Sequence, residues 1–270
     1  MKQIAKHDDK EALMSLYNIC FPGEEEYCRK FFDLVWCPEK TLVYRADGKI
    51  VSMLQMFDLV LTDGNNEYSV YYIFAAATHP DYRGRSIMRE LISESERINS
   101  DKDFAVLIAA SESLKTFYGR LGYKVGFSLG KEVVLASDSD IKYEMIDFEN
   151  CEKVDAIMAA GNMNEIYLTE VHGEVVVKRT AQFIVSELSC RNAKLFLTDD
   201  SYAVAEFSED EVYFCEHFGK ISEKLMAQIL WNHNADKAEA CSLGDTYSFG
   251  MYKNLSCDIN LHGFLNLLFN

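Results

Sequence analysis

The chain has 270 residues, and its 27 Lys plus Arg against 43 Asp plus Glu give a formal net charge of −16 at pH 7. With 49% hydrophobic residues and only 14 Gly and 3 Pro, it is not disordered, fibrous or low in complexity. A chain of this length buries about three quarters of its unfolded surface in about two domains, and its acidity argues against nucleic acid as a partner, because binding phosphates needs a basic stripe.

The N-terminus, MKQIAKHDDKEALMSLYNICF, carries acidic residues before any apolar run and so lacks the pattern of a signal peptide. No stretch approaches the roughly 18 apolar residues of a membrane helix. The expectation is a cytoplasmic protein that does not engage a membrane. The eight cysteines (Cys20, Cys28, Cys37, Cys151, Cys190, Cys215, Cys241 and Cys257) contain no C-x-x-C pair. Most lie in apolar runs, where a reduced thiol packs as a small core residue, and no metal site is expected.

Residues 8–20 place Leu13, Leu16, Tyr17 and Cys20 at helical spacing, and Pro22-Gly23 separates them from a second helix over 24–36. Two β-rich runs then flank Asp47-Gly48, a strong hairpin signal. The turn at 63–66 leads into EYSVYYIFAAATHP, whose apolar end reads as a central strand covered on both faces. After Pro80 a helical stripe of Ile87, Leu91, Ile92 and Ile98 follows. Next come a buried strand at 103–110, a short helix ending at Gly122, and a pair of strands in YKVGFSLGKEVVLA.

The polar cluster Ser137-Asp138-Ser139-Asp140 divides the chain into halves of similar length, 1–137 and 141–270. The second half reads as a strand in IKYEMIDF, helices near 150–160 and 174–189, and three short strands between 194 and 218. A helix at 222–233, separate strands at AEACSL and TYSFGMYK, and an apolar end FLNLLFN complete it. The same order of hairpin strands, helix and strand recurs in both halves. The fold class is therefore mixed α/β (α+β), in two weakly similar domains, each a mixed, mostly antiparallel twisted sheet flanked by helices.

The chemistry is concentrated in Thr78-His79-Pro80-Asp81-Tyr82-Arg83-Gly84-Arg85-Ser86-Ile87-Met88, where a buried strand ends and a helix begins. A helix N-terminus presents unpaired N–H groups to an anion, Gly84 allows close backbone approach, and Arg83 and Arg85 add positive charge. A phosphate or pyrophosphate suits this spot. An ordinary strand-to-helix turn with solvated arginines is the alternative. The sequence contains neither G-x-x-x-x-G-K-[ST] nor G-x-G-x-x-G.

This segment resembles the [RQ]-x-x-G-x-[GA] loop of the GNAT acyltransferases, with Arg83 opening the motif, Ser86 standing where that family prefers Gly, and Met88 where it prefers Gly or Ala. The run Phe117-Tyr118-Gly119-Arg120-Leu121-Gly122-Tyr123 resembles the family's second hallmark, F-Y-x-x-[LF]-G-[YF]. Together the two cover roughly residues 1–137. More narrowly, the chain looks like the tandem GNAT subgroup that includes the enhanced intracellular survival acetyltransferases, without their third domain. In the second half, Cys215-Glu216-His217-Phe218-Gly219-Lys220-Ile221 has no arginine pair and is not expected to bind a cofactor.

The resemblance implies acetyl-CoA as co-substrate. The residues matching its binding site are Ala76, Ala77 and Thr78 of the strand, Arg83, Gly84, Arg85, Ser86, Ile87 and Met88 of the loop, and Ser111. It also implies a carbonyl polarised by a backbone N–H within 75–78, Tyr118 as the acid that protonates the leaving thiolate, and the free carboxylate of Asn270 as the base. A core tyrosine and a final core strand are the plainer readings of Tyr118 and of FLNLLFN. An already neutral amine or a water relay would also replace the base. Tyr27, Phe31 and Phe32 lie where the family closes over its acceptor, or else form helix core.

The expected function is transfer of an acetyl group to a primary amine of a small cationic molecule. The alternatives are a non-catalytic acyl-CoA sensor and transfer to a peptide or protein amine. Oligomeric state is not legible.

Overall fold

The computed structural model describes residues 1–171, 173–208 and 211–266. The N-terminal half opens with β1 (Lys2–Ile4), α1 (Lys10–Cys20) and α2 (Glu25–Leu34), followed by β2 (Thr41–Ala46), β3 (Lys49–Thr62) and β4 (Glu67–Thr78). Asp47 and Gly48 join β2 to β3 with φ of 50° and 77°. Two positive φ angles are what a tight hairpin turn requires if it is to follow the strand twist. Then come α3 (Ile87–Ile98), β5 (Phe104–Ile108), α4 (Glu112–Gly119) and β6 (Lys124–Leu135).

Strand β4 is buried on both faces, and its side chains alternate between two cores. Tyr72 and Phe74 pack with Leu13, Leu16, Phe31 and Phe32 of the first two helices. Tyr71 and Ile73 pack with Leu91 and Ile92 of α3 and with Tyr118 of α4. Strand β4 runs antiparallel to β3 and parallel to β5, the latter pairing from Val70–Phe104 to Ile73–Leu107.

The second half comprises β7 (Glu144–Asp147), α5 (Lys153–Glu170), β8 (Val175–Val177), α6 (Ala181–Cys190), β9 (Ala193–Leu197), β10 (Ser201–Phe207), β11 (Val212–Gly219), α7 (Ser222–Asn232), β12 (Lys237–Asn254) and β13 (Gly263–Phe264). Helices α5 and α6 cover one face of its strands and α7 the other. The described strands of both halves join into one mixed sheet.

The joint is β12. Its end, Gly250–Asn254, pairs antiparallel with β5, and Tyr247–Tyr252 pairs with Lys124–Leu129 of β6. Its beginning, Lys237–Ser242, pairs with Gly130–Leu135 of β6, and Glu239 and Ala240 pair parallel with Tyr213 and Phe214 of β11. Residues from the second half thus fill a strand position in the first half's sheet, and β6 does the converse.

Two expected breaks are absent. YKVGFSLGKEVVLA is the single strand β6, and AEACSL with TYSFGMYK is the single strand β12, whose register with β6 shifts between Ser242 and Tyr247 and again on either side of Gly250. Glycines permit close approach of the two strands here: a Cβ on Gly244 would lie 2.9 Å from the Gly130 Cα. The helix expected over 174–189 starts at Ala181, because the β-branched run Val175–Val177 forms β8 against Leu61–Thr62 and β13.

Candidate active site

The register between β3 and β4 is regular up to Met53–Ala77 and resumes at Gln55–Phe74, so Ala75 and Ala76 stand opposite Leu54 alone. This is a β-bulge, and Ala75 takes a left-handed φ of 48°. A bulge leaves its extra residue out of the ladder and re-aims the backbone. Pairing between β4 and β5 ends at Ile73–Leu107, just before the bulge. Ala75, Ala76, Ile108 and Tyr118 there line a cavity of about 650 Å³.

Beyond β4, Pro80–Tyr82 makes a short 3-10 turn, and α3 begins at Ile87. Gly84 (φ 74°) and Ser86 (φ 61°) are both left-handed, which folds the loop tightly onto the helix start. The Ser86 side chain makes no capping bond, so the first N–H groups of α3 lack that partner. Arg83 Nε donates to the Thr78 carbonyl at 3.0 Å, and Arg85 Nη2 donates to that of Asp81 at 2.9 Å while its guanidinium lies 5.0 Å above the Tyr82 ring. Both arginines remain exposed, and a Cβ on Gly84 would meet nothing within 4 Å. This donor set fits an anion of phosphate type. Ser52 Oγ holds the strand end, lying 2.8 Å from both the Ala77 carbonyl and Thr78 Oγ1.

Ile87 is buried, and Met88 is half-buried against the cluster containing Leu54 and Leu91. Ser111 caps α4, its hydroxyl accepting from the Leu114 N–H at 3.3 Å and lying 2.9 Å from Ser113 Oγ. Tyr118 is 6% exposed, and burial pushes its phenol up to about 12. At that value the hydroxyl holds its proton throughout the neutral range.

The rest of the cavity wall comes from two places. Tyr17, Phe21, Glu24, Tyr27 and Lys30 belong to α1, α2 and the turn between them. Cys190, Arg191, Glu206, Phe207 and Tyr213 come from the second half. Tyr17 Oη donates to Glu24 Oε2 at 2.7 Å. Lys30 pairs with Glu26 at 3.2 Å and with Glu149, and Arg191 pairs with Glu187 at 2.5 Å and Glu206 at 2.9 Å. Of the three aromatic residues expected near an acceptor, Tyr27 lines the cavity, whereas Phe31 and Phe32 are core.

Tyr17, Glu24, Arg191 and Glu206 were not foreseen from sequence. Glu24 follows the Pro22-Gly23 break, a faint signal that a carboxylate sits at a helix start. Nothing local marks Arg191 or Glu206, because pairing between the halves is what carries them to the cavity. Asn270 lies outside the described residues. The last residue before that stretch, Asn266, is buried and donates from Nδ2 to the Cys215 carbonyl at 2.7 Å.

Residues 3–126 match the family of acetyltransferase (GNAT) domains. This match identifies residues 3–126 as a GNAT acetyltransferase domain. None of the curated proteins matches the sequence. Among solved structures, the chain is similar to a GCN5-related N-acetyltransferase from Kribbella flavida (15% identity, TM-score 0.69), with 93% of this chain and 70% of that one covered. It is also similar to a GCN5-related N-acetyltransferase from Anabaena variabilis (16% identity, TM-score 0.68), covering 95% and 73%. A third likeness is to Eis1 from Mycobacterium abscessus (12% identity, TM-score 0.63), covering 95% and 74%. At these identities the likeness is one of fold.

Proposed function

We propose that the protein transfers the acetyl group of acetyl-CoA to a primary amine of a small cationic molecule. Residues 1–137 act as the catalytic domain, and 141–270 as a partner domain that binds no cofactor but completes the acceptor site. The observation that carries this is a single cavity joining the β4 bulge and Tyr118 to walls rich in aromatic rings and carboxylates. Such walls favour cations.

In this reading Arg83, Gly84, Arg85, Ser86, Ile87 and Met88 hold the pyrophosphate, with Ala76, Ala77, Thr78 and Ser111 beside the pantetheine arm. The co-substrate supplies the thioester when bound. A backbone N–H at the bulge polarises the acetyl carbonyl, which needs no side chain there. Tyr118, protonated near neutral pH, donates to the leaving sulfur. The amine requires a base, since a group with pKa near 10.4 is neutral about once in 2,500 at pH 7. The proposed base is the Asn270 carboxylate. The reading includes a cytoplasmic location, in keeping with eight unpaired thiols.

The test is release of free thiol from acetyl-CoA across a panel of mono- and polyamines and peptide amines, with binding followed by calorimetry. Turnover on a cationic amine supports the proposal. Tight binding without turnover on any acceptor would leave a sensor, and turnover confined to peptides would move the acceptor class. Full activity in a variant extended by several residues beyond Asn270 would remove that carboxylate from the mechanism.

A further inference from the structure

A second cavity, of about 710 Å³, lies at the rim of the second half where β11 and β12 begin. Val133, Asn234, Asp236, Lys237 and Glu239 line it, a wall with apolar surface and both signs of charge. Among the described residues, Glu211 and Tyr213 belong both to this wall and to that of the 650 Å³ cavity. The two spaces are therefore neighbours, kept apart by what these side chains fill.

The two differ in how firmly they are held. Glu211 is exposed, whereas Tyr213 is half-buried on β11. Tyr213 pairs with Glu206 of β10 on one side and with Glu239 of β12 on the other. Residues paired directly across strands project from the same face of a sheet. Tyr213 thus stands between Glu206, which lines the first cavity, and Glu239, which lines the second. Its hydroxyl lies 2.7 Å from Sγ of Cys241, which is 4% exposed, so the ring is tied at its far end as well. The first cavity alone has the size of a small-molecule site, and opening it into the second would about double the space.

We propose that Tyr213 sets the length of the acceptor: its ring closes the cavity on the side of the second half, so a chain that reaches it is rejected and the preferred acceptor is a short primary amine. The reacting end lies beside the Ala75–Ala76 bulge, and the opposite end stops at Tyr213. The inference rests on the acetyl-transfer reading and specifies its acceptor.

The test uses linear alkylamines from ethylamine to dodecylamine, in steady-state transfer and in calorimetric binding to the full chain. In the wild type, kcat/KM should rise about three- to fourfold with each methylene buried and then fall once the chain meets Tyr213. In Tyr213→Ala that limit moves to longer chains. The ratio of kcat/KM for the first amine past the wild-type limit to that for a short amine should rise about tenfold or more, mainly through KM. Tyr213→Phe, which keeps the ring, should keep the wild-type limit. If Tyr213→Ala unfolds, Tyr213→Leu decides in its place. A wild-type series without a limit, or a ratio untouched by the shortened side chain because all lengths lose equally, overturns the proposal. If no amine is acetylated but the limit in binding moves in Tyr213→Ala, the role of Tyr213 stands and the transfer reading falls.

Discussion

The hydroxyl of Tyr17 on α1 donates a 2.7 Å hydrogen bond to Glu24 Oε2 at the start of α2, and both residues line the cavity that reaches Tyr118. The ring of Tyr17 is 2% exposed whereas Glu24 is exposed, so a rigid group orients a mobile one. Burial and the adjacent Glu24 charge push the Tyr17 phenol well above its ordinary value, so it remains a donor. Tyr17→Phe is expected to raise KM for a cationic acceptor about five- to tenfold, with a smaller effect on kcat, because one charge-assisted contact is loosened. Glu24→Gln should reproduce the effect, and equal KM values in steady-state kinetics would refute the orienting role.

Tyr118 carries a prediction about pH. Its phenol, raised to about 12 by burial, is protonated below that value in the folded enzyme. Acting as the acid, it sets no falling alkaline limb below about pH 11, while activity rises with pH as the acceptor amine loses its proton. Tyr118→Phe should lower kcat by about 10²- to 10⁴-fold with little change in acetyl-CoA affinity. A pH–rate profile of wild type and variant checks both points.

The anion loop depends on two left-handed residues as much as on its arginines. Gly84→Ala meets no steric obstacle, but it places a Cβ at φ 74°, a conformation that costs an L-residue about 1–2 kcal/mol. Arg83→Ala removes an exposed positive charge that is anchored to the Thr78 carbonyl. Each is expected to weaken acetyl-CoA binding about tenfold in calorimetry, and Gly84→Ala should also lower thermal stability.

In the second half, Arg179 and Glu216 are fully buried 2.8 Å apart, with the Tyr202 hydroxyl donating to Glu216 at 2.6 Å and the Arg179 guanidinium 3.5 Å above the Tyr167 ring. Asn266 Nδ2 also lies 3.3 Å from Glu216 Oε2, tying the C-terminal segment to this network. Arg179→Met leaves a carboxylate buried without its counter-charge and should cost about 3–5 kcal/mol in urea unfolding. The double variant Arg179→Met, Glu216→Leu should recover much of that loss, since neither charge then remains.

His217 gives a stability prediction with a definite sign. Burial holds its imidazole below the ordinary 6.5 despite Glu132 at 2.7 Å from Nε2 and the more distant Glu216 and Glu223. The unfolded chain therefore takes up a proton near pH 6.5 that the folded chain refuses. Stability present above that pH is lost as pH falls toward the depressed folded value. Urea midpoints measured from pH 7.5 to 5 should decline, and less steeply in His217→Gln.

Local pattern sufficed for much of the first half. The helical spacing of Leu13, Leu16 and Tyr17, the Asp47-Gly48 hairpin and the apolar run of β4 each state a preference of neighbouring residues that the fold keeps. The passage from strand end to helix start around Arg83–Ser86 was also legible, because a loop and the helix it opens are contiguous in sequence. Periodicity misled where long-range pairing outweighed it. YKVGFSLGKEVVLA read as a pair of strands but is one, with Gly130 and Gly244 letting β6 and β12 pass close together, and Val175–Val177 left a helical reading to form β8.

What the sequence determined by itself is the class of chemistry: two motifs one strand and one helix apart, and a second half without the arginine pair. What only the tertiary structure decided is where the cavity wall comes from. Glu24, Arg191 and Glu206 are separated by up to 182 positions in the sequence, yet they line one cavity because β12 pairs with strands of both halves. Contacts between positions so far apart are set by the packing of whole strands, and no local propensity encodes them.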